Sequence, residues 1–498
     1  MPPVPAEDSS QVCRLERSPW RFPPPGTHPR ILCYRHMSAG GRHEVRKMNG
    51  RFFRDLLHEV SERLRGPRSR RPPSETTIQD IVRNTEALLS GRGDSSGVAV
   101  ARDLLVAYEG LEEVRKLDFL TFLEQQFGPD QLRLKRALSN FTENPTAKAA
   151  LEMHEAAESR RQELFRRIHL APNGTKGLLL MREDVLRNLP AHPELATVDA
   201  DFKLLFSSWF NRGFLVLKRI DWSTPASVLE KIIRYEAVHE IASWDDLRRR
   251  LEPGDRRCFA FFHPTLIDEP LIFVEVALTS GVPDAIAPLL AEGRKPIPAD
   301  HATHAVFYSI SNCQVGLKGV PLGNFLIKQV VEELKGELPS LMTFVTLSPV
   351  PGFLRWLTQE RGVKTSNHLT GGEKALLALL DRPDWHLDAN AAKTLKPVLL
   401  PAVTRYLMVV KTESGKPIDP VARFHLGNGA RLERIHWLGD LTPRGVKEGA
   451  GFMVNYLYEL DRIERIQEAF ARNGEIASSF SVRRHLRSDF LRRFKNPS

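Results

Sequence analysis

Cysteine is scarce in this chain: four in 498 residues, at Cys13, Cys33, Cys258 and Cys313, with no two in a C-x-x-C pair. That argues against a zinc site and a disulfide framework, and it fits a reducing compartment. Long apolar runs are missing too. No stretch of about 18 apolar residues occurs, which excludes a membrane-spanning helix. The first residues lack the continuous apolar core of a secretory signal, and prolines there would break the helix of a transit peptide. The last four, Lys495-Asn-Pro-Ser498, are not the Ser-Lys-Leu peroxisomal address. A cytoplasmic setting, in a bacterium, is the expectation.

A basic face is also missing. The formal net charge is +10, but it sits at the ends. Residues 1–73 hold 15 lysines and arginines against 7 acids, residues 481–498 hold 6 against 1, and the body between them is net acidic at −3. A nucleic-acid reader carries basic residues and aromatics on its folded unit, so no nucleic-acid partner is expected. Basic ends fit solvated tails or contacts with an acidic substrate or partner. What is present is a soluble globular composition, 42% hydrophobic and 27% charged. The chain is long enough for two or three domains and for a large core without disulfides or metals.

Residues 1–47 carry Pro-Pro-Val-Pro and Phe-Pro-Pro-Pro-Gly with scattered arginines and no period, and read as disordered. Residues 48–195 read as an all-helical domain. A first helix spans 49–65, with Phe53, Leu56, Leu57, Val60 and Leu64 on one face. Residues 66–73 form a stiff basic linker. Ser74 opens the next helix and the stretch Gly91 to Gly97 closes it; Phe119 to Phe127, Gln131 to Phe141 and Thr146 to Leu170 are further helices. Arg92-Gly93-Asp94 reads as a loop and not as an adhesion motif. The region holds no catalytic constellation, so a scaffold or oligomerisation role is its default, and a homo-oligomer (dimer or tetramer) is expected. Residues 196–480 change character. Cys258 to Phe262, Leu271 to Leu278, Ala305 to Ile310, Met342 to Leu347 and Tyr406 to Val410 read as strands. Helices at Val228 to Val238, Phe325 to Leu334 and Gly372 to Leu380 fall between them. Residues 481–498 are a basic tail. The fold class is α+β and multidomain, an all-helical N-terminal domain followed by a mixed α/β domain.

The most informative stretch joins the strand at 305–310 to the helix at 325–334 through Gly316, Gly319 and Gly323. A strand, a glycine loop and a helix N-terminus make an anion site, because the backbone can approach closely and free N–H groups meet the ligand. The spacing fits neither G-x-G-x-x-G nor the Walker A pattern, so the anion is the pyrophosphate of some other carrier; plain turn chemistry is the bland reading. The next strand ends in Ser348-Pro-Val-Pro-Gly-Phe353, where two prolines and a glycine force a defined turn. Ser348 therefore stands at a strand's carboxyl end, where open α/β sheets bind ligands; its bland role is to cap the turn. Cys313 reads as a buried thiol rather than a nucleophile. His263 reads as a loop histidine, and Glu269 and Glu275 lack partners for a metal. Tyr456 and Tyr458 alternate and can both pack.

Several motifs, in order, resemble the malonyl-CoA decarboxylase family. They are Phe262-His-Pro, Asp268-Glu-Pro-Leu-Ile-Phe-Val-Glu-Val-Ala-Leu278, Phe307-Tyr-Ser-Ile-Ser311 and Gly316-Leu-Lys-Gly-Val-Pro-Leu-Gly323. Leu347-Ser-Pro-Val-Pro-Gly-Phe353, Val421-Ala-Arg-Phe-His-Leu-Gly-Asn-Gly-Ala430 and Asn455-Tyr-Leu-Tyr458 follow, so the likeness covers roughly 50–460. It implies a catalytic domain of the GNAT acyltransferase fold behind the helical one, with malonyl-CoA as substrate and acetyl-CoA as product. It implies Ser348, His425 and Tyr458 as the reactive residues, and Gly316, Lys318, Gly319, Val320, Pro321, Leu322, Gly323 and Asn324 as the stretch around the CoA phosphates. Some relatives carry a glutamate where Pro321 stands, so a carboxylate there is no general requirement. Losing CO2 leaves a thioester enolate whose oxygen needs aimed donors. Ser348 is expected at the malonyl carboxylate and His425 as the proton donor, since an unperturbed histidine, with a pKa of about 6.5, donates near neutrality. Tyr458 orients one of them or donates to the oxyanion. The thioester is its own electron sink, so no metal or cofactor is expected.

Three other readings stay open: an acyl-CoA N-acyltransferase on the same fold, a Ser–His thioesterase, and a non-catalytic CoA-binding protein. The thioesterase wants a G-x-S-x-G elbow, and Leu347-Ser-Pro is not one.

Overall fold

Asp130 and Thr146 show how local chemistry cuts the first third of the chain into helices. Asp130 accepts the Leu132 and Arg133 amides and starts the helix Gln131–Glu143; Thr146 accepts the Ala149 amide and starts Ala147–Ala157. In the computed structural model, residues 78–90, 94–320, 322 and 326–486 are described, and they fall within one unit spanning 71–498. The helix expected over 49–65, the linker and residues 1–47 lie outside the described residues. Helices Ile78–Leu89, Asp94–Glu109, Glu113–Gln126, Arg160–His169, Gly174–Asn188 and Ala196–Trp209 complete the helical region. Two expectations need correction. Asp94 begins a helix rather than lying in a loop. The single helix expected over 146–170 is broken at Glu158 and Ser159, which are extended. Ser159 is buried there and gives its hydroxyl to Asp201 at 2.7 Å, a tertiary bond that overrides local helix preference.

The strands follow. They are β1 (Val216–Ile220), β2 (Arg256–Phe262), β3 (Pro270–Thr279), β4 (His304–Asn312), β5 (Thr343–Thr346), β6 (Ser348–Pro349), β7 (Arg431–His436) and β8 (Met453–Leu457). They form one 8-stranded sheet in the order β1-β2-β3-β4-β5-β8-β6, with β7 on β8. Strands β1 to β4 run antiparallel; β4 and β5 run parallel, joined through the helix Leu326–Glu337. Their pairing stops at Phe307 and Thr346 although β4 runs on to Asn312. The two strands therefore part at their carboxyl ends, and β5 leads to Ser348. A helical region followed by this mixed α/β sheet matches the α+β, multidomain class expected.

Tyr406 to Val410 is not a strand. It closes the helix Ala389–Met408, whose Leu395, Val398, Leu399, Ala402, Val403, Tyr406 and Leu407 are buried at helical spacing. A five-residue apolar run cannot by itself distinguish a strand from the end of a buried helix. Leu178, Leu179 and Phe206 of the helical region share one core with Leu271, Ile272 and Leu317 of the sheet region.

Candidate active site

Ser348, His425 and Tyr458 come from three separate elements and meet. Ser348 pairs with Val454 of β8. Gly352 then takes a left-handed φ of 80° and starts the helix Phe353–Gly362, so the Pro-Val-Pro-Gly turn is built as the sequence suggests. His425 rides the helix Pro420–Gly427, which Asp419 caps by accepting the Ala422 amide at 2.7 Å. Tyr458 follows β8 and is fixed by its own amide on the Phe344 carbonyl at 2.9 Å. All three side chains are buried.

The contacts form a chain. The Tyr458 hydroxyl lies 2.8 Å from His425 Nδ1, His425 Nε2 lies 3.2 Å from Ser348 Oγ, and Ser348 Oγ donates to Thr346 Oγ1 at 2.9 Å. Thr346 Oγ1 also accepts the Tyr456 amide at 3.1 Å. The direction of the protons follows from burial. Desolvation holds the Tyr458 phenol well above its ordinary pKa, so it stays protonated and donates to Nδ1. The proton of the neutral ring then sits on Nε2, aimed at Ser348, whose own proton goes to Thr346. Burial pushes the imidazole down to about 3. His425 is therefore a neutral donor at pH 7, and the near-neutral pKa expected from its residue type does not survive its surroundings. Tyr456 stacks on it, with ring centroids 4.6 Å apart and planes at 23°.

Past the helix that carries His425 opens a cavity of about 1040 Å³, whose lining includes none of Ser348, His425 and Tyr458. Lys318, Gly319, Val320 and Leu322 wall one side. Phe424, Gly427 and Asn428, neighbours of His425 on or just past its helix, wall another, and Lys416, Arg423 and Arg472 add positive charge. Gly316 faces away: a Cβ there would lie 2.4 Å from the Leu179 carbonyl oxygen. Pro321, Gly323 and Asn324 lie outside the described residues. Thr346, Asp419 and the three added cations escaped the sequence reading. Thr346 was findable, because it stands two residues before Ser348 and shares its face of an extended segment.

Other candidates resolve into structure. His263 is held by Thr265 Oγ1 at 2.7 Å and the Trp209 carbonyl at 3.1 Å. Glu269 binds Lys176 and Lys231, each at 3.0 Å. Burial pushes the Cys313 thiol up, which suits a packing role. Among the described residues no three His, Cys, Asp or Glu side chains gather as metal ligands, and no helix is long and apolar enough to cross a membrane.

A cavity with Lys318, Lys416, Arg423 and Arg472 in its lining, together with a buried row of neutral hydrogen-bond donors, is the equipment of a protein that receives an anion and handles protons away from water. The model of the malonyl-CoA decarboxylase C-terminal domain matches residues 213–496, and that of the N-terminal domain matches 127–210. The chain belongs to the malonyl-CoA decarboxylase family. It is 35% identical over 408 residues to the mitochondrial malonyl-CoA decarboxylase of Anser anser anser, covering 75% of this chain and 81% of that protein. The crystal structure of malonyl-CoA decarboxylase from Rhodopseudomonas palustris is 56% identical with a TM-score of 0.80, covering 82% of this chain and 99% of that one. For the Agrobacterium vitis enzyme the values are 52%, 0.78, 82% and 99%.

Proposed function

We propose that this chain converts malonyl-CoA to acetyl-CoA and CO2 through a thioester enolate, with Ser348, His425 and Tyr458 as its reactive residues. The observation that carries the reading is the buried Tyr458–His425–Ser348 chain with His425 held neutral. A charged imidazolium would pair with the malonyl carboxylate and stabilise the reactant. A neutral donor in a dry site favours instead the form in which the charge has moved to the thioester oxygen. The bond from the α-carbon to the carboxylate breaks, its electron pair enters the enolate, and CO2 leaves. The Ser348 hydroxyl then turns from Thr346 to give its proton to the α-carbon, and its oxygen takes the proton of His425 Nε2. A thioester enolate is a stronger base than imidazolate, so a neutral imidazole suffices. Solvent returns the proton to His425 after product leaves.

The CoA phosphates are assigned to the cavity lined by Lys318, Gly319, Val320 and Leu322, where Lys416, Arg423 and Arg472 add positive charge. A cytoplasmic setting accords with the two buried free thiols, Cys258 and Cys313. Self-association is supported by the hairpin of helices Gln131–Glu143 and Ala147–Ala157, which buries little beyond Ala137, Ala149 and Ala156 and exposes Leu132, Leu138 and Leu151. Incubation with malonyl-CoA alone tests the activity. Acetyl-CoA and CO2 in equal amounts are the expected products. Free CoA with malonate would mean a thioesterase; unchanged malonyl-CoA would leave an acyltransferase or a binding protein.

A further inference from the structure

Arg182 is fully buried, and it belongs to the helix Gly174–Asn188 of the helical region. Its Nε donates to Asp199 Oδ1 at 2.9 Å, and Lys203 holds the other oxygen of that carboxylate at 2.6 Å. The two terminal nitrogens reach into the sheet region. One donates to the Gly316 carbonyl, the other to the Lys318 carbonyl at 2.7 Å. Next to Arg182, Glu183 accepts the Gly316 amide at 3.2 Å. The residue after this grip, Gly319, and Lys318 itself wall the cavity.

A guanidinium so placed has one carboxylate to balance its charge and a rigid fork to spend on two carbonyls, which an ammonium cannot match. Carbonyls drawn to Arg182 are not free to face an anion, and the loop between them is fixed at both ends. The close approach of Gly316 to the Leu179 carbonyl locks the same turn by shape. Four contacts from one helix thus converge on Gly316 and Lys318.

We infer that Arg182 is a positioning residue for the carrier's phosphates: the helical region sets the shape of loop 315–320 and is thereby a working part of the substrate site. This deepens the malonyl-CoA reading and rests on it for the carrier's identity. Arg182→Lys tests it, because lysine keeps a cation for Asp199 and loses the fork. CoA affinity by calorimetry is expected to weaken about tenfold or more, the scale of one lost charge-assisted hydrogen bond. The KM for malonyl-CoA should rise with kcat nearly kept, and turnover of malonyl-pantetheine, which lacks the nucleotide phosphates, should not change. Unchanged CoA affinity overturns the inference, as does an equal loss on both substrates, the mark of general misfolding. Hydrogen exchange on the unaltered protein gives an independent arm. CoA should slow exchange at Leu317, Lys318 and Val320 together with the helix Gly174–Asn188; protection confined to the sheet region overturns the inference. Unaltered protein that binds CoA but makes no acetyl-CoA would remove the decarboxylase reading and leave the role of Arg182 standing.

Discussion

At the scale of the residue, the site depends on where protons sit. Ser348 can offer its oxygen to the His425 N–H because Thr346 takes the serine proton. Thr346→Val keeps the volume and removes the acceptor, so kcat on malonyl-CoA should fall about tenfold, in line with one hydrogen bond of catalytic consequence; an unchanged kcat would place Thr346 outside the relay. The buried imidazole also marks stability. Burial pushes His425 down to about 3 in the fold, from an ordinary 6.5. Between those values the unfolded chain binds more protons, so this contribution to stability rises with pH. It is complete above about pH 6.5 and is lost as the pH falls toward 3. Asp419, raised to about 7 by burial, acts in the opposite sense, since its folded form holds the extra proton. His425→Asn removes only the first effect. From pH 5 to pH 7.5 the urea midpoint of His425→Asn should therefore rise less, or fall more, than that of the unaltered protein, and an identical pH dependence would refute the assignment.

At the scale of the element, strands buried on both sides were the easiest to read. Residues 258–262, 271–278 and 305–310 are apolar runs broken only by Glu275 and Ser309, and all lie in strands. Strand β1 was invisible because Val216–Ile220 is a mostly exposed edge, and β7 because Arg431–His436 carries charge on a half-buried face. The site's motifs were legible as motifs. Their meeting was not, because Ser348, His425 and Tyr458 are far apart in the chain: β8 pairs with β5 and β6 to bring Tyr458 to Ser348, and the helix that carries His425 leads into β7, which pairs with β8. Nor could spacing reveal that burial would strip His425 of its ordinary pKa. The helix Pro420–Gly427 is only eight residues long, so its cap matters. Asp419→Ala should lower unfolding free energy by about 1 kcal/mol through the lost cap and reduce kcat by misplacing His425. Full activity with lowered stability would separate the cap from the chemistry.

At the scale of the molecule, the helical region is not a detached scaffold. It shares a core with the sheet and sends Arg182 into the loop that walls the cavity. The hairpin at 131–157 exposes Leu132, Leu138 and Leu151. Isolated helical pairs of this length are marginal in water, so a second copy is the expected cover. Leu132→Glu with Leu151→Glu should shift the sedimenting species to a smaller assembly; an unchanged sedimentation coefficient would refute that use of the hairpin. In the proposed reaction a neutral histidine relay protonates an enolate formed by loss of CO2. Turnover of malonyl-CoA in heavy water, followed by mass analysis, tests it most directly. The unaltered protein should yield acetyl-CoA with one deuterium in its methyl group, and His425→Asn should lower kcat by about a hundredfold or more, the range for general acid catalysis. Acetyl-CoA formed at an undiminished rate by His425→Asn would contradict the account.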